Sequence, residues 1–447
     1  MRLEIPMTKV RACPTHLLTP LLVTCLAVFL LTAASNARAE LLIRITEGVD
    51  SAIPIAVVPF AENGTMPPGD KVSSIIRSNL TMSGEFNPLA PGNMLSLPSS
   101  RSDVYYRDWR MLGQRYLLVG ELTRTGERLE ARYELFDVNR EERILGETAA
   151  ASASNARSLA HHISDKVYQA ITGEQGAFST KLAYVTVAGR GDDIRYRLQV
   201  SDVDGQRARV RLESGEPILS PAWSPDGKKL AYVSFETGKP VIFVHELATG
   251  ERRKVADFRG LNSAPAWSPD GQSLLMTLSR DGNAEVYSMA LESGELTRLT
   301  NHWAIDTEGA WDHTGQGIFF TSDRSGGPQI YHIDRPGADA RRITFGSRYN
   351  ARPRPDAKGD YVYYVHQRDS AFVIARTNLK TGEESIVTRT ESDESPSLSP
   401  NGRLLIYANE HQGNSVLTVV SADGGAAYSL PAAEGEVRDP AWGPIVR

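Results

Sequence analysis

The sequence holds very little cysteine. Of its 447 residues only two are cysteines, Cys13 and Cys25, and both lie near the start of the chain. The rest of the chain therefore has no disulfide framework and no cysteine-based metal site. Excess positive charge is missing too, since 49 basic and 54 acidic residues give a formal net charge of −5. Because nucleic-acid-binding surfaces are basic, this balance argues against nucleic acid as a partner.

The motifs of hydrolytic and metal enzymes are also missing. No Gly-x-Ser-x-Gly sequence occurs, which argues against a serine hydrolase of that type. The pair His161-His162 lies in a predicted helix but lacks the spacing of metal ligands. The segment Asp202-Val203-Asp204-Gly205 hints at a calcium loop, but its position favours a hairpin turn. The residues therefore predict no catalytic group, no bound metal and no cofactor.

Long hydrophobic runs are absent except for one, from Leu17 to Ala34. A basic start precedes this run, and Ala37-Arg38-Ala39 follows it as a small-residue cleavage pattern. Residues 1–39 are therefore predicted to be a secretory signal peptide that is cleaved after Ala39. A retained membrane anchor is the alternative, which Pro20 inside the run disfavours. The chain is expected to be exported and not to span a membrane.

What the sequence does contain is a repeat in its second half. Pro221-Ala222-Trp223-Ser224-Pro225-Asp226-Gly227 recurs as Pro265-Ala266-Trp267-Ser268-Pro269-Asp270-Gly271, and a degraded third copy surrounds Trp311. The fourth and fifth copies have Pro355 and Leu398 in place of tryptophan, and a last one contains Trp442. The turn glycines 227, 271, 315, 359 and 402 are spaced by 44, 44, 44 and 43 residues.

Each repeat predicts one blade of a β-propeller. Ser-Pro-Asp-Gly is typical of a type I turn, and an apolar strand follows each copy. Four short strands per unit of this length are characteristic of propeller blades. Strands opening at six positions predict six blades over residues 181–447, and these positions are Lys181, Lys229, Ser273, Gly317, Asp360 and Arg403. The strand around Trp442 is expected to complete the first blade, which closes the ring.

The first half shows no such period. Residues 40–172 contain predicted strands at 41–45 and 53–60, a three-stranded meander over 115–149, and a helix that stops at Gly173. They predict an α/β domain, joined by a linker at 173–180 to the propeller. The fold class is therefore an α/β N-terminal domain followed by an all-β six-bladed propeller.

Loops that precede the inner strands of a propeller surround one mouth of its central channel, where partners commonly bind. In this sequence those loops are 261–264, 304–308, 348–352 and 392–395. Arg348, Arg352 and Arg354 form a local basic cluster there, suited either to carboxylates or to solvation. Trp303 falls outside the repeat register and is predicted to be a partner anchor or a cap over the channel.

Taken together, these features resemble the TolB family, the periplasmic component of the Tol–Pal system of Gram-negative bacteria. The resemblance rests on the signal peptide, the start Glu40 to Asp50, the stretch Ile53-Pro-Ile-Ala-Val-Val-Pro-Phe60 and the Trp-Ser-Pro-Asp-Gly blades. It implies a non-enzymatic adaptor that supports outer-membrane constriction in cell division and envelope integrity.

The resemblance also implies partners and sites. The propeller would bind the lipoprotein Pal around the channel mouth, and the mature N-terminus would bind TolA; other envelope proteins and colicins are further possible partners. The residues expected at the Pal-binding mouth are Leu261, Ala264, Trp303, Thr307, Glu308 and Arg352. The expected TolA-binding segment is Glu40, Leu41, Leu42, Ile43, Arg44, Ile45, Thr46, Glu47, Gly48, Val49 and Asp50.

The N-terminal segment suggests a mechanism by itself. It alternates apolar and polar residues near a chain end, so it could pair with a sheet of this protein or add to a partner's sheet. The hypothesis is a switch, in which Pal binding favours the docked segment and its absence releases the segment for TolA. The alternatives are a periplasmic propeller enzyme or small-ligand-binding protein that uses the channel, and an assembly scaffold for outer-membrane proteins.

Overall fold

The computed structural model describes residues 43–44, 52–66, 69, 71–411, 414–431 and 435–446. The N-terminal part contains seven strands and three helices among these residues. They are β1 (Ile43–Arg44), β2 (Ile53–Val57), β3 (Ala61–Asn63), α1 (Val72–Met82), β4 (Phe86–Pro88), α2 (Tyr106–Met111), β5 (Tyr116–Thr125), β6 (Arg128–Asp137), β7 (Glu142–Ser152) and α3 (Ala156–Thr172).

Strands β2 to β7 form a mixed sheet of order β4-β2-β5-β6-β7, in which β3 also pairs with β5. Strand β2 runs parallel to β4 and β5, whereas β5, β6 and β7 are antiparallel. Successive side chains of β2 enter different cores: Ile55 and Val57 pack with α1 and α3, and Ala56 and Val58 pack on the opposite face. Strand β2 is therefore buried on both faces.

The propeller follows as six antiparallel blades, numbered here in chain order. Blade 1 contains β8 (Lys181–Ala188), β9 (Arg195–Asp202) and β10 (Arg209–Ser214); blade 2 contains β11 (Ile218–Trp223), β12 (Lys229–Ser234), β13 (Val241–Glu246) and β14 (Arg252–Ala256); blade 3 contains β15 (Asn262–Trp267), β16 (Ser273–Leu278), β17 (Glu285–Ala290) and β18 (Leu296–Arg298).

The second half of the ring has the same strand order. Blade 4 contains β19 (Asp306–Trp311), β20 (Ile318–Ser322), β21 (Gln329–Ile333) and β22 (Arg341–Arg342); blade 5 contains β23 (Asn350–Pro355), β24 (Tyr361–Arg368), β25 (Ala371–Asn378) and β26 (Glu384–Ile386); blade 6 contains β27 (Glu394–Leu398), β28 (Leu404–His411), β29 (Asn414–Ser421) and β30 (Ala427–Ser429). The final strand, β31 (Glu436–Trp442), pairs with β8 and is the inner strand of blade 1.

The blades are built as the repeat predicts, so the predicted six-bladed propeller is confirmed. In blade 2 the Gly227 N–H donates to the Ser224 carbonyl oxygen over 2.9 Å, which closes the turn, and Gly227 has a φ of 69°. The next strand, β12, serves two cores at once. Leu230 and Tyr232 pack on the side of blade 1, and Ala231 and Val233 pack on the side of blade 3. Burial on both faces explains why these strands read as continuous apolar runs.

Strand β1 does not join the N-terminal sheet among the described residues. Ile43 pairs with Tyr428 and Arg44 with Ala427, so β1 is the fifth strand of blade 6, outside β30. The sequence predicted a strand here, and the structure gives it a partner in the propeller. The rest of the predicted TolA-binding segment, residues 40–42 and 45–50, lies outside the described residues.

Candidate functional site: the channel mouth

Six residues with left-handed backbone conformation surround the central channel, one on each inner strand. Each lies in a β-bulge, where the register between the inner strand and its neighbour shifts. They are Ser220 (φ 50°), Ala264 (49°), Glu308 (57°), Arg352 (58°), Ser395 (52°) and Asp439 (46°), and all six line the channel. Positive φ is uncommon for residues other than glycine, so hydrogen bonds from the surroundings must hold these bulges in place. We call this set the bulge ring.

Arg352 is the centre of a hydrogen-bonded network across the bulge ring. Its Nε lies 3.1 Å from Oε1 of Glu308, and its Nη1 lies 3.2 Å from Oδ1 of Asp439. Arg352 also donates to the Ser395 hydroxyl, which donates to Asp439 Oδ1 over 2.8 Å. The other oxygen of Asp439 accepts the Ser220 N–H at 3.0 Å. Side chains from four blades are thereby joined across the channel.

The pKa shifts show which charge states the network favours. Burial disfavours the charge of Arg352, but Asp439 and Glu308 outweigh it and raise the pKa of Arg352. Burial likewise acts to raise the pKa of Asp439, and Arg352 outweighs it, so the pKa of Asp439 is below its usual range. Arg352 and Asp439 therefore form an ionised pair within the network.

The predicted mouth residues divide into two groups. Ala264, Glu308 and Arg352 belong to the bulge ring and line the channel together. Leu261 and Trp303 lie outside it, on the loops before β15 and β19, with 37% and 79% of their surfaces exposed.

Thr307 lies on β19, next to the bulge ring. Its Oγ1 is 3.3 Å from that of Thr277 on the neighbouring blade, and the same Thr277 hydroxyl accepts the Glu308 N–H at 3.1 Å. Thr307 is half-buried. It therefore links blades 3 and 4 just below the mouth surface.

Exposed apolar side chains lie on the mouth face along one part of the ring, from blade 3 to blade 5. They lie on loops, or at strand ends, on the face where the inner strands begin, and they are Leu261, Trp303, Ile305, Phe345 and Phe372. We call this set the apolar rim. Single exposed apolar residues are common, but several around one opening are typical of a protein-binding surface. Sequence reasoning identified Leu261 and Trp303 by name and included Ile305 in the predicted mouth loop 304–308; it missed Phe345 and Phe372, which carry no motif.

Tryptophan side chains line the channel at the end where the inner strands finish. They are Trp223, Trp267, Trp311 and Trp442, and the cavity that they line together with the bulge ring has a volume of about 400 Å³. The indole Nε1 of Trp267 donates to the Ala222 carbonyl oxygen over 3.1 Å. Because Ala222 belongs to the preceding blade, the repeated tryptophan links neighbouring blades.

The three arginines of the basic cluster expected from the sequence lie apart, because the chain continues from a loop into strand β23 between the first and the second of them. Arg348 is exposed in the loop before β23, Arg352 belongs to the bulge ring, and Arg354 lines the channel beyond it. The three guanidinium groups therefore occupy different environments and do not form one patch. Among the described residues that line the channel, there is neither histidine nor cysteine.

A second polar cluster joins the N-terminal domain to blade 1. Asp202 and Asp204 lie in the hairpin between β9 and β10, as predicted for this segment, and His161 of α3 faces them. The His161 Nε2 lies 3.6 Å from an oxygen of each carboxylate. Arg157 binds Asp204 at 2.6 Å and Arg207 binds Asp202 at 2.6 Å. Cations of the chain already neutralise both carboxylates, so the cluster is an interdomain ion-pair junction. Sequence reasoning considered these residues separately and did not bring them together.

The fold and the channel mouth define the class: a two-domain protein in which a mixed-sheet domain precedes a six-bladed β-propeller with an exposed apolar rim. The family model of the TolB amino-terminal domain matches residues 41–144, and that of the TolB beta propeller domain matches residues 168–446. The chain belongs to the TolB family. Among the described residues, no helix is long and apolar enough to cross a membrane.

Similar proteins cover nearly the whole chain. The Tol-Pal system protein TolB of Hahella chejuensis is 52% identical over 419 residues, which are 93% of this chain and 97% of that protein. The protein of the same name from Pseudomonas aeruginosa is 52% identical over 424 residues, 94% of this chain and 98% of that one. The crystal structure of TolB from Acinetobacter baumannii has a TM-score of 0.83 at 39% identity, covering 91% of this chain and 100% of that one.

Proposed function

We propose that this protein is a periplasmic, non-enzymatic adaptor of the Tol–Pal system. In this proposal the propeller, residues 181–447, binds Pal at the channel mouth, and residues 40–50 bind TolA after removal of the signal peptide. The adaptor would support outer-membrane constriction during cell division and envelope integrity. Family membership supports the assignment to this system, since the relatives are named as Tol-Pal system proteins.

The apolar rim is the observation that carries the Pal-binding proposal. Trp303 is 79% exposed and Ile305 is 52% exposed, and both lie on the loop that leads into β19. Exposing an indole to water is unfavourable unless a partner covers it, and tryptophan is enriched among residues that dominate binding energies. Trp303 is therefore assigned as the anchor that the partner buries, and the neighbouring bulge ring supplies a fixed polar floor.

The pairing of β1 with β30 supports a role for the N-terminal segment. A strand at the edge of a sheet leaves backbone groups free to pair with another chain, and β1 occupies that edge of blade 6. The same segment would add to a sheet of TolA when it leaves blade 6. In the proposed switch, Pal binding favours the docked segment, and the coupling between the two sites must be reciprocal.

The experiment is calorimetric titration of residues 40–447 with the soluble domain of Pal. A Trp303→Ala variant is measured beside it, with Tyr105→Ala as control, because Tyr105 is 69% exposed on the N-terminal domain. We expect one-to-one binding that weakens about tenfold or more in Trp303→Ala and stays unchanged in Tyr105→Ala. Absence of binding by the unsubstituted protein would contradict the proposal and direct attention to the channel, as in a small-ligand-binding propeller.

A shortened protein beginning at Ala52 tests the switch separately. If docking of the segment is coupled to Pal, this shortened protein binds Pal with an altered affinity. If the two proteins bind Pal with equal affinity, the result agrees with the adaptor role and contradicts the switch.

A further inference from the structure

One position of the inner strands differs between blade 5 and the other blades. It lies two residues beyond the bulge ring, and its side chain lines the channel in all six blades. The residues at this position are Ala222, Ala266, Ala310, Arg354, Ser397 and Ala441. Five blades thus place a small side chain here, and blade 5 places a guanidinium group in the space that the small residues leave open.

Arg354 has no ion-pair partner of its own among the described residues, although the charges of Glu308 and Asp439 act on it from a distance. Its one hydrogen bond among the described residues runs from Nη1 to the carbonyl oxygen of Pro353, over 2.9 Å. The carboxylates that line the channel, Glu308 and Asp439, are both bound to Arg352. Within the described part of the chain, Arg354 forms no ion pair with a carboxylate.

The surroundings of Arg354 disfavour its charge, since burial and the neighbouring Arg352 outweigh the two carboxylates. Burial lowers the pKa of Arg354 below its ordinary value, which reflects the cost of holding the charge there. An anion that binds the guanidinium group offsets this cost. Four tryptophans line the channel beyond Arg354, and their apolar surface strengthens an ion pair formed beside it.

We propose that Arg354 is a carboxylate-binding subsite inside the channel, filled by an acidic side chain of the protein that docks at the mouth. This inference rests on the proposed function, because it assigns the chemistry of the partner's inserted group. Guanidinium binds carboxylate through two parallel hydrogen bonds, which Arg354 can offer with the nitrogen atoms that Pro353 leaves unused.

The depth of the subsite favours an inserted side chain. Arg354 follows the bulge-ring residue Arg352 by two positions, which is about 7 Å along an extended strand. The long arginine side chain and an acidic side chain entering from the mouth can together bridge such a distance. A free small carboxylate has the same chemistry, and the experiment separates the two sources.

The first arm measures the partner. The soluble domain of Pal is titrated into the protein and into its Arg354→Gln, Arg354→Lys and Arg354→Ala variants. Arg335→Gln is the matched control, because Arg335 is exposed on the turn between β21 and β22, on the other face. Since alanine occupies this position in four blades, Arg354→Ala is compatible with the strand, and thermal unfolding verifies that each variant is folded.

The second arm measures the carboxylate alone. Glutarate is titrated while tryptophan fluorescence is recorded, because four tryptophans line the channel. Glutaramide, which has no charge, is the matched probe. We expect a saturable change with glutarate that is absent with glutaramide and absent in Arg354→Gln.

The outcomes distinguish the inference from the proposed function. We expect the affinity for Pal to fall tenfold or more in Arg354→Gln and Arg354→Ala, less in Arg354→Lys, and not at all in Arg335→Gln. If the protein binds glutarate but does not bind Pal, the proposed function is refuted. The subsite at Arg354 would then be a site for a free carboxylate. Equal Pal affinity in all variants, together with no response to glutarate, would overturn the subsite and leave the adaptor in place.

Discussion

Arg352 Nε lies 3.1 Å from Glu308 Oε1, and these two residues occupy equivalent positions on neighbouring inner strands. The backbone repeats the same left-handed bulge at both positions, with φ values of 58° and 57°. A repeated conformation thereby carries side chains of opposite charge, and the charge difference joins blade 4 to blade 5. The backbone conformation is the same in the two blades, and the difference between the two side chains creates the ion pair.

Replacing the cation of this network should destabilise the protein. Arg352→Gln leaves Glu308 and Asp439 facing the same channel without their common partner, so we expect a loss of about 2 kcal/mol in the free energy of unfolding at pH 7. Denaturant unfolding measures it, with Arg348→Gln as control because that side chain is exposed. A loss of the same size in both variants would contradict a specific role for Arg352.

The effect of Arg352→Gln should depend on pH. The pKa of Asp439 is lowered in the folded state, so its ionised form stabilises the protein above the unfolded value of about 4, and this contribution is lost as the pH falls. The difference between the two proteins should therefore shrink below about pH 4. A difference that stays constant between pH 7 and pH 3 would argue that the loss comes from packing.

Asp393 should produce a pH dependence of the opposite sign. Burial raises the pKa of Asp393 to about 6, although hydroxyl groups of Thr388 and Thr390 donate to its carboxylate. Because the folded state binds this proton more tightly than the unfolded chain, stability falls as the pH rises from about 4 to 6, by about 2 kcal/mol. Unfolding measured across this range should show a smaller decline in Asp393→Asn. Identical slopes would show that other groups cause the decline.

The interdomain junction should depend on Asp202. Burial acts to raise the pKa of Asp202, but the nearby His161 and hydrogen bonds from Arg207 and Lys181 outweigh it, so the pKa is held well below its usual range. We expect Asp202→Asn to lower the free energy of unfolding by about 3 kcal/mol at pH 7, because Arg207 and Lys181 lose the buried carboxylate that they share. Asp192→Asn, an exposed position in the same blade, should change stability by less than about 0.5 kcal/mol. Equal stability of both variants would contradict the junction.

Two tryptophans with the same place in the repeat should respond differently to substitution. The Trp267 Nε1 donates to the Ala222 carbonyl oxygen, whereas the buried Nε1 of Trp311 has no hydrogen-bond partner among the described residues. Replacement by phenylalanine removes the donor at both sites and changes the packing similarly. We therefore expect Trp267→Phe to cost about 1 kcal/mol more than Trp311→Phe in thermal or chemical unfolding. Equal costs would show that the indole hydrogen bond adds nothing to the link between blades.

The blades could be predicted because their signals are local. Ser224, Pro225, Asp226 and Gly227 specify a turn through their own backbone preferences, and the apolar run after them specifies a buried strand. The repetition of this four-stranded unit then predicts a propeller, which family membership and the fold confirm.

The site was harder to predict because it depends on contacts between distant residues. The left-handed bulges fall on serine, alanine, glutamate, arginine and aspartate, and of these only aspartate is enriched at positive φ. Glu308 and Arg352 were predicted as mouth residues by position, and their ion pair became visible only with the strand register. His161 and Asp202 lie in different domains, so no spacing rule connects them.

The pairing of β31 with β8 has a consequence for how the protein acquires its binding surface. Trp442 reaches across 262 residues to donate to Thr180, so the ring closes through one of the most non-local contacts in the chain. Such contacts form late in folding because the entropy of closing so long a loop opposes them. Asp439 arrives with the same strand, and without it Arg352 lacks one of its two carboxylates. The bulge ring is therefore complete only when β31 has paired with β8. A protein whose ring has not closed lacks part of the surface that a partner would contact.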